Sequence, residues 1–353
     1  MIYLDNAATA IKRDEILNYI IEHKESFDGN PDSTHAMGRE AKKILEDARV
    51  KIAKSIGAKP FNVIFTAGAT ESNNAVLRDF SEFQVITTAI EHDSILNTID
   101  RDKSILISAD QSGKISLDEI KERISDDVKL VSIMYVNNET GVIQPIREIG
   151  EYLADKDIWF HVDAVQAYGH IDIDVEDIKC DSLSLSGHKI GGINGFGILY
   201  LRKNLKPFIT GGEQEKDRRA GTSFVAGAYS MAESFPKMLN ERNHVKNLKE
   251  HFIYKLAETS INYEINGNVD SSSDHVINIF FADYKADFLL TYLDMNGICA
   301  SAGSACRAGS VLPSHVISSM YDEDRAKHSV RFSFGYQNTT DEIDKTIEVL
   351  ERL

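Results

Sequence analysis

Cysteine is scarce in this chain, occurring only at Cys180, Cys299 and Cys306. An odd, sparse set builds no disulfide framework, which points to a reducing compartment. Positive charge is in deficit: 39 basic against 55 acidic residues give 39 − 55 = −16. A general nucleic-acid or anionic-membrane binder needs a positive footprint, so neither class is expected. No apolar run is long enough to cross a bilayer. The N-terminal MIYLDNAATA lacks the basic and apolar regions of a signal peptide. A soluble, cytoplasmic protein without nucleic-acid or membrane partners is the expectation. The chain does have enough material for a large core: 353 residues, 42% of them hydrophobic. Neither an internal repeat nor a low-complexity tract interrupts it.

Apolar runs alternate with amphipathic stretches. Val63–Ala67, Gln84–Ala89, Ser104–Ser108, Lys129–Val136, Ile158–Val162, Asp181–Leu185 and Phe196–Leu201 read as strands. Helices are expected between them over Glu71–Phe80, Ser94–Arg101, Leu117–Ser125 and Ile146–Lys156. Such alternation predicts an α/β fold with a mostly parallel sheet covered on both faces. Near Pro236 the pattern changes. A long charged helix, Met238–Thr259, precedes a polar loop over Asp270–Asp274. The strand Val276–Phe281, helix Ala286–Asn296, strand Val330–Phe334 and helix Asp341–Leu353 follow. This α+β pattern suggests a smaller second domain, against which the N-terminal segment packs.

Several short segments carry chemistry. In DSLSLSGHKIGG (Asp181–Gly192), Lys189 follows a buried strand among small residues. A carbonyl can approach such an amine closely and form a Schiff base, although an isolated lysine is more often a solvated surface group. In AGATESNN (Ala67–Asn74), Gly68 and Ala69 allow a close turn and Thr70 opens a helix. That arrangement suits an anion, or simply caps the helix. Asp163 ends the strand IWFHV. There it can hold a protonated pyridine nitrogen or cap the next helix. His92, after another strand end, can stack on a flat ring, move protons, or be structural. Arg331 lies in the apolar strand VRFSF, where a buried guanidinium takes either a ligand carboxylate or a salt bridge. The Thr70 turn, His92, Asp163 and Lys189 fall on one edge of the expected sheet.

In order along the chain stand YLDNAAT (Tyr3–Thr9), GNP (Gly29–Pro31), AGATESNN, VNNETG (Val136–Gly141) and HVDAVQ. After them come SGHK, RAGT (Arg219–Thr222), SAGSAC (Ser301–Cys306) and SVRFSFG (Ser329–Gly335). On these nine motifs the chain resembles the cysteine desulfurases, pyridoxal-phosphate enzymes of the class V aminotransferase group. The resemblance implies the fold type I architecture of aspartate aminotransferase. Residues 13–240 would form the large cofactor-binding domain. Residues 1–12 and 241–353 would form the small one, with the catalytic cysteine loop at about 300–315. It further implies that Lys189 anchors pyridoxal 5′-phosphate, Asp163 pairs with the pyridine nitrogen and Gln166 bonds the phenolic oxygen. His92 would stack on the ring and shuttle protons. Ala69, Thr70, Ser186 and His188 would surround the phosphate, with Thr222 supplied by the second subunit of a homodimer. Asn138 and Arg331 would hold the carboxylate of L-cysteine. No metal is implied.

Cys306 decides the chemistry. CASAGSACRAGS (Cys299–Ser310) is almost all small residues, so it packs no core and is expected to move. Arg307 next to Cys306 favours a thiolate. Cys180 and Cys299 read as inert. The resemblance then implies attack by Cys306 on the substrate sulfur, release of alanine and a persulfide left on Cys306. That persulfide would pass to an acceptor such as an iron–sulfur scaffold or a tRNA-thiolation enzyme. The loop is similar to that of the long-loop subgroup. Two departures leave the acceptor open: Arg307 stands where housekeeping members often have a small hydroxyl residue, and the tail after the last helix is short. The alternatives are a selenocysteine lyase, another class V aminotransferase, or a non-catalytic sulfur-transfer platform.

Overall fold

The computed structural model describes residues 1–303 and 313–353. Its first eight strands are β1 (Ile2–Tyr3), β2 (Val63–Thr66), β3 (Gln84–Thr88), β4 (Ser104–Ile107), β5 (Val128–Met134), β6 (Trp159–Asp163), β7 (Ser182–Ser186) and β8 (Gly197–Leu201). Then come β9 (Tyr263–Ile265), β10 (Val276–Phe281), β11 (Ile298–Cys299) and β12 (Ser329–Ser333).

Seven strands form one sheet in the order β2-β8-β7-β6-β5-β3-β4. From β7 to β4 all neighbours are parallel, whereas β8 runs against both β2 and β7. This geometry brings the carboxyl ends of β2, β3, β5, β6 and β7 to the same edge as the amino end of β8. Ligands of open α/β sheets bind beyond that edge. Strands β2, β7 and β8 are buried throughout, as expected of strands covered on both faces. One contact needs glycine: a Cβ on Gly197 would lie 2.5 Å from the Cα of Gly68. That close approach sets the turn after β2 against the start of β8.

A second, antiparallel sheet has the order β12-β10-β9, and β1 pairs with β11 in parallel. Its core is separate and includes Ile277, Ile279, Phe281, Val330, Phe332 and Phe334. Each such side chain contributes about 1.5–3 kcal/mol when removed from water. The N-terminal segment joins the two regions. Asp5 bridges to Ser333, and the chain then passes the carboxyl edge of the large sheet, where Ala10 N–H donates to the carbonyl of His188.

Among the elements that differ from the sequence expectation, three bear on how the cores and the site are built. The helix expected to begin at Met238 spans Val225–Ala257 and passes through Pro236. Proline removes one intrahelical hydrogen bond. Pro236 lies on the exposed side, however, and burial of Met231, Ala232 and Met238 holds the helix together around it. Its first half packs in the large core through Ala228 and Met231, and its second half in the small core through Val245, Leu248 and Phe252. The helix expected over Ser94–Arg101 is reduced to Asp93–Leu96. Polar side chains take over the backbone there: Thr98 donates to the Ser94 carbonyl, and Asp100 accepts from Asp102 N–H. A 20-residue helix, Ala36–Ser55, was not anticipated and buries Ala41, Leu45, Ala48, Ile52 and Ala53. Among the described residues, no helix is long and apolar enough to cross a membrane.

Candidate active site

A cavity of about 460 Å³ opens at the carboxyl edge of the large sheet. Ala69, Thr70 and His92 line it from the turns after β2 and β3. Asp163 and Gln166 reach it from the end of β6, and Ser186, His188 and Lys189 from the end of β7. Asn138 enters from the loop after β5, and Arg331 from β12 of the small sheet. Two of the residues expected at the site are not in this set. Thr222 is exposed and does not line the cavity. Cys306, Arg307 and most of the expected cysteine loop lie outside the described residues.

Asp163 is the last residue of β6 and is 5% exposed. Its Oδ1 accepts from Val165 N–H at 3.0 Å, and its Oδ2 accepts from Asn73 Nδ2 at 2.8 Å. Asn73 is completely satisfied: Nδ2 also donates to Ser94 Oγ (2.9 Å), and Oδ1 accepts from His161 Nε2 (3.0 Å). Behind it, Ser182 Oγ donates to His161 Nδ1 and accepts from Trp159 Nε1. Burial pushes His161 down to about 3, so its ring is neutral and carries its single hydrogen on Nε2. This chain from Trp159 to Asp163 crosses the buried sheet with every donor facing an acceptor. The sequence motifs contain Asn73 and His161, but their spacing gives no sign that the two meet.

His92 caps the short helix after β3. Its Nδ1 faces Ser94 N–H at 3.0 Å and Ser94 Oγ at 2.9 Å. With Nδ1 accepting, the neutral ring bears its hydrogen on Nε2. Burial lowers its pKa, partly opposed by the charge of Asp163. The neighbouring Glu91 is fully buried, and burial raises its carboxyl to about 8. Both of its donors, Thr88 Oγ1 and Met134 N–H, reach Oε1. Oε2 has no hydrogen-bond partner among the described residues, so it is the oxygen open to a proton when the carboxyl is neutral.

Lys189 Nζ donates to the carbonyls of Ala7 and Ala8 at 2.6 and 2.8 Å. Gln166 Nε2 donates to the same Ala7 carbonyl at 2.9 Å. His188 is pushed down to about 4 by burial and by Lys189. Arg331 is 2% exposed. Its guanidinium donates to Asn138 O at 2.9 Å and to Asp5 Oδ1 at 2.8 Å. Asp5 was not anticipated from the sequence. Its signal, a carboxylate in the motif YLDNAAT, gives no indication of a partner more than 300 positions away. Arg219 of RAGT makes a two-pronged pair with Glu71, a cavity residue, at 2.9 and 3.1 Å.

The donor set suits pyridoxal phosphate. The helix Ala69–Asp79 begins at the cavity, and its first N–H groups have no intrahelical partner, which favours a phosphate. A Cβ on Gly68 would meet nothing within 4 Å, so there is room beside that terminus. A buried carboxylate, an imidazole and a lysine amine share the same space, as a pyridine nitrogen, a flat ring and a carbonyl require. No cluster of three or more metal-ligating side chains occurs among the described residues.

Residues 2–346 match the family described as Aminotransferase class-V. The chain is 42% identical to the putative cysteine desulfurase IscS 1 of Bacillus subtilis, with 97% of this chain and 95% of that protein covered. A solved NifS-like protein superposes with a TM-score of 0.91 at 32% identity, covering 99% of this chain and 98% of that one. A structure described as SspA in complex with cysteine superposes with a TM-score of 0.84 at 30% identity, covering 96% of this chain and 100% of that one.

Proposed function

The chain belongs to the class-V aminotransferase family and is a pyridoxal-phosphate-dependent cysteine desulfurase; on that premise we propose that Cys306 takes the sulfur of L-cysteine as a persulfide and passes it to an acceptor protein. The observation that carries this reading is a single cavity joining Lys189, Asp163, His92 and Arg331. Pyridoxal phosphate, when bound, supplies a carbonyl for the substrate amine and a sink for the electron pair of the Cα–H bond.

The chain's own residues do the rest. Lys189 is the covalent anchor, and Asp163 keeps the pyridine nitrogen protonated. Gln166 donates to the phenolic oxygen. Ala69, Thr70, Ser186 and His188 hold the phosphate. His92 covers the ring face and exchanges a proton at Nε2. Arg331 and Asn138 orient the substrate carboxylate, which places the Cβ–S bond for attack. As the Cys306 sulfur bonds to the substrate sulfur, the C–S bond breaks. Its electron pair stays on carbon, which takes up a proton on the way to alanine, and Cys306 keeps the extra sulfur.

The enzyme acts as a homodimer in the cytoplasm, with Thr222 completing the phosphate site of the partner subunit. Exposure of Thr222 beside the Arg219–Glu71 pair supports this. The transfer of the helix Val225–Ala257 from one core to the other between Met238 and Val245 supports a domain boundary near 240. The acceptor is an iron–sulfur scaffold or a tRNA-thiolation enzyme.

Incubation with L-cysteine should yield alanine, sulfide when a reductant is present, and a gain of one sulfur on the Cys306 peptide by mass spectrometry. Cys306→Ala should abolish sulfide release and leave the cofactor absorbance intact. Full sulfide production by that variant would exclude Cys306 as the acceptor.

A further inference from the structure

His275 immediately precedes β10 of the small sheet and is 1% exposed. Its Nε2 lies 2.9 Å from Gln166 Oε1 and its Nδ1 lies 2.7 Å from Ser273 Oγ. The ring stacks on His170 with centroids 3.5 Å apart and planes 9° from parallel. His170 belongs to the segment after β6 of the large sheet, four residues after Gln166.

The hydrogens in this group can be assigned. A carbonyl oxygen only accepts, so the Gln166 atom facing Ala7 O is the amide nitrogen. Gln166 Oε1 therefore faces His275, whose Nε2 must carry the hydrogen, and Nδ1 accepts from the Ser273 hydroxyl. A single N–H requires a neutral ring. Burial holds His275 well below the usual histidine range, reinforced by His170, Lys249 from the helix Val225–Ala257, Arg331 from β12 and Lys189 from the end of β7. Burial and Arg242 likewise lower His170, to about 3. Lys249 is itself fixed by donating to the Ser273 carbonyl at 2.8 Å.

The geometry points to His275 as a positioning residue that fixes the side-chain amide of Gln166 with one N–H toward the cofactor's phenolic oxygen, His170 clamping the ring in place. The assignment rests on the reading of Gln166 as the donor to that oxygen. Gln166 has two N–H hydrogens, and one is taken by Ala7. With Oε1 pinned by His275, the second is directed to the cavity that Gln166 lines. A flipped amide would set Oε1 against the Ala7 carbonyl and an N–H against the N–H of His275. The small domain thereby tunes the cofactor without touching it.

Donation to the phenolic oxygen stabilises its anionic form, so it lowers the pH at which the bound cofactor's absorption titrates. Absorbance titration of the holoenzyme tests the assignment. In Gln166→Leu and His275→Leu the midpoint should rise by about one to two pH units, the scale of a hydrogen bond to a charged group. His275→Gln, which retains an N–H donor, should restore most of the wild-type midpoint. An unmoved midpoint in His275→Leu beside a shifted one in Gln166→Leu overturns the role of His275 and leaves that of Gln166 standing. An unmoved midpoint in Gln166→Leu overturns the Gln166 reading, and this inference with it. Nitrogen-15 NMR of histidine-labelled holoenzyme, with His275 assigned by difference from His275→Gln, gives a readout independent of side-chain deletion. One neutral tautomer with hydrogen on Nε2 is expected, and a hydrogen on Nδ1 overturns the proposal.

Discussion

The two sheets hold their functional groups by different physics. At the carboxyl edge of the seven-stranded sheet, Asp163 and His92 are set by directional, largely neutral hydrogen bonds that run through Asn73, His161, Ser182 and Ser94. On the small sheet, Arg331 is held by charge, against Asp5, and by one carbonyl. Neutral donors on a buried carboxylate define its orientation and hold its charge in one place. The Arg331–Asp5 pair joins a buried guanidinium to a carboxylate that is 18% exposed, and a second carboxylate can compete for that guanidinium from the cavity. The large sheet thus suits a resident ring, and the small one a substrate that comes and goes.

Lys189→Ala should have the largest effect. It removes the proposed covalent anchor, so activity should drop on the order of 10³-fold or more and the characteristic cofactor absorbance should disappear. Retained absorbance would place the anchor elsewhere. Arg331→Lys separates the two sheets. Lysine keeps the charge but loses the planar fork, so kcat/KM for L-cysteine should fall roughly 10²-fold, chiefly through KM, with the absorbance unchanged. A change in absorbance instead would mean that the small sheet's arginine serves the cofactor. Asn73→Ala attacks the neutral network. It strands His161 and one oxygen of Asp163, so stability should fall by about 1–3 kcal/mol and cofactor affinity should weaken, whereas KM should scarcely move.

Glu91→Gln is the mildest test and concerns pH. A carboxyl whose folded pKa is raised to about 8 binds more protons in the native state than in the unfolded one. Its contribution is complete below the unfolded carboxylate value and is lost as pH rises toward 8. Thermal unfolding of the wild type should therefore lose stability between about pH 5 and 8. Glu91→Gln, neutral throughout, should show a flatter profile. Equal slopes would argue against a protonated Glu91.

Much of the site was legible because its residues lie at strand ends in short, distinctive motifs: Thr70 after β2, His92 after β3, Asp163 ending β6, Lys189 after β7. The partners of those residues were not legible. Asn73 sits inside the motif AGATESNN, yet local reasoning could see it only as a helix cap. His275 lies beside a polar loop, where nothing suggests a buried stacked ring. Asp5 and Arg331 are joined only when β12 and the N-terminal segment come side by side. The unanticipated helix Ala36–Ser55 did leave a signal: its buried residues Ala41, Leu45, Ala48 and Ile52 recur at three- and four-residue intervals. Pro236 misled in the opposite direction, because a local breaker was overridden by packing on both sides of it.

The sequence by itself determined the alternation of strand and helix, the chemistry-bearing side chains and the order in which they occur. Those properties depend on local periodicity and on residue type, which are written along the chain. Tertiary structure alone decided which nitrogen of His161, His92 and His275 bears hydrogen, which way Gln166 points, and what faces Arg331. Each of these depends on an acceptor or a charge brought near by folding from a remote part of the chain. A hydrogen bond exists only where two such groups meet within about 3 Å.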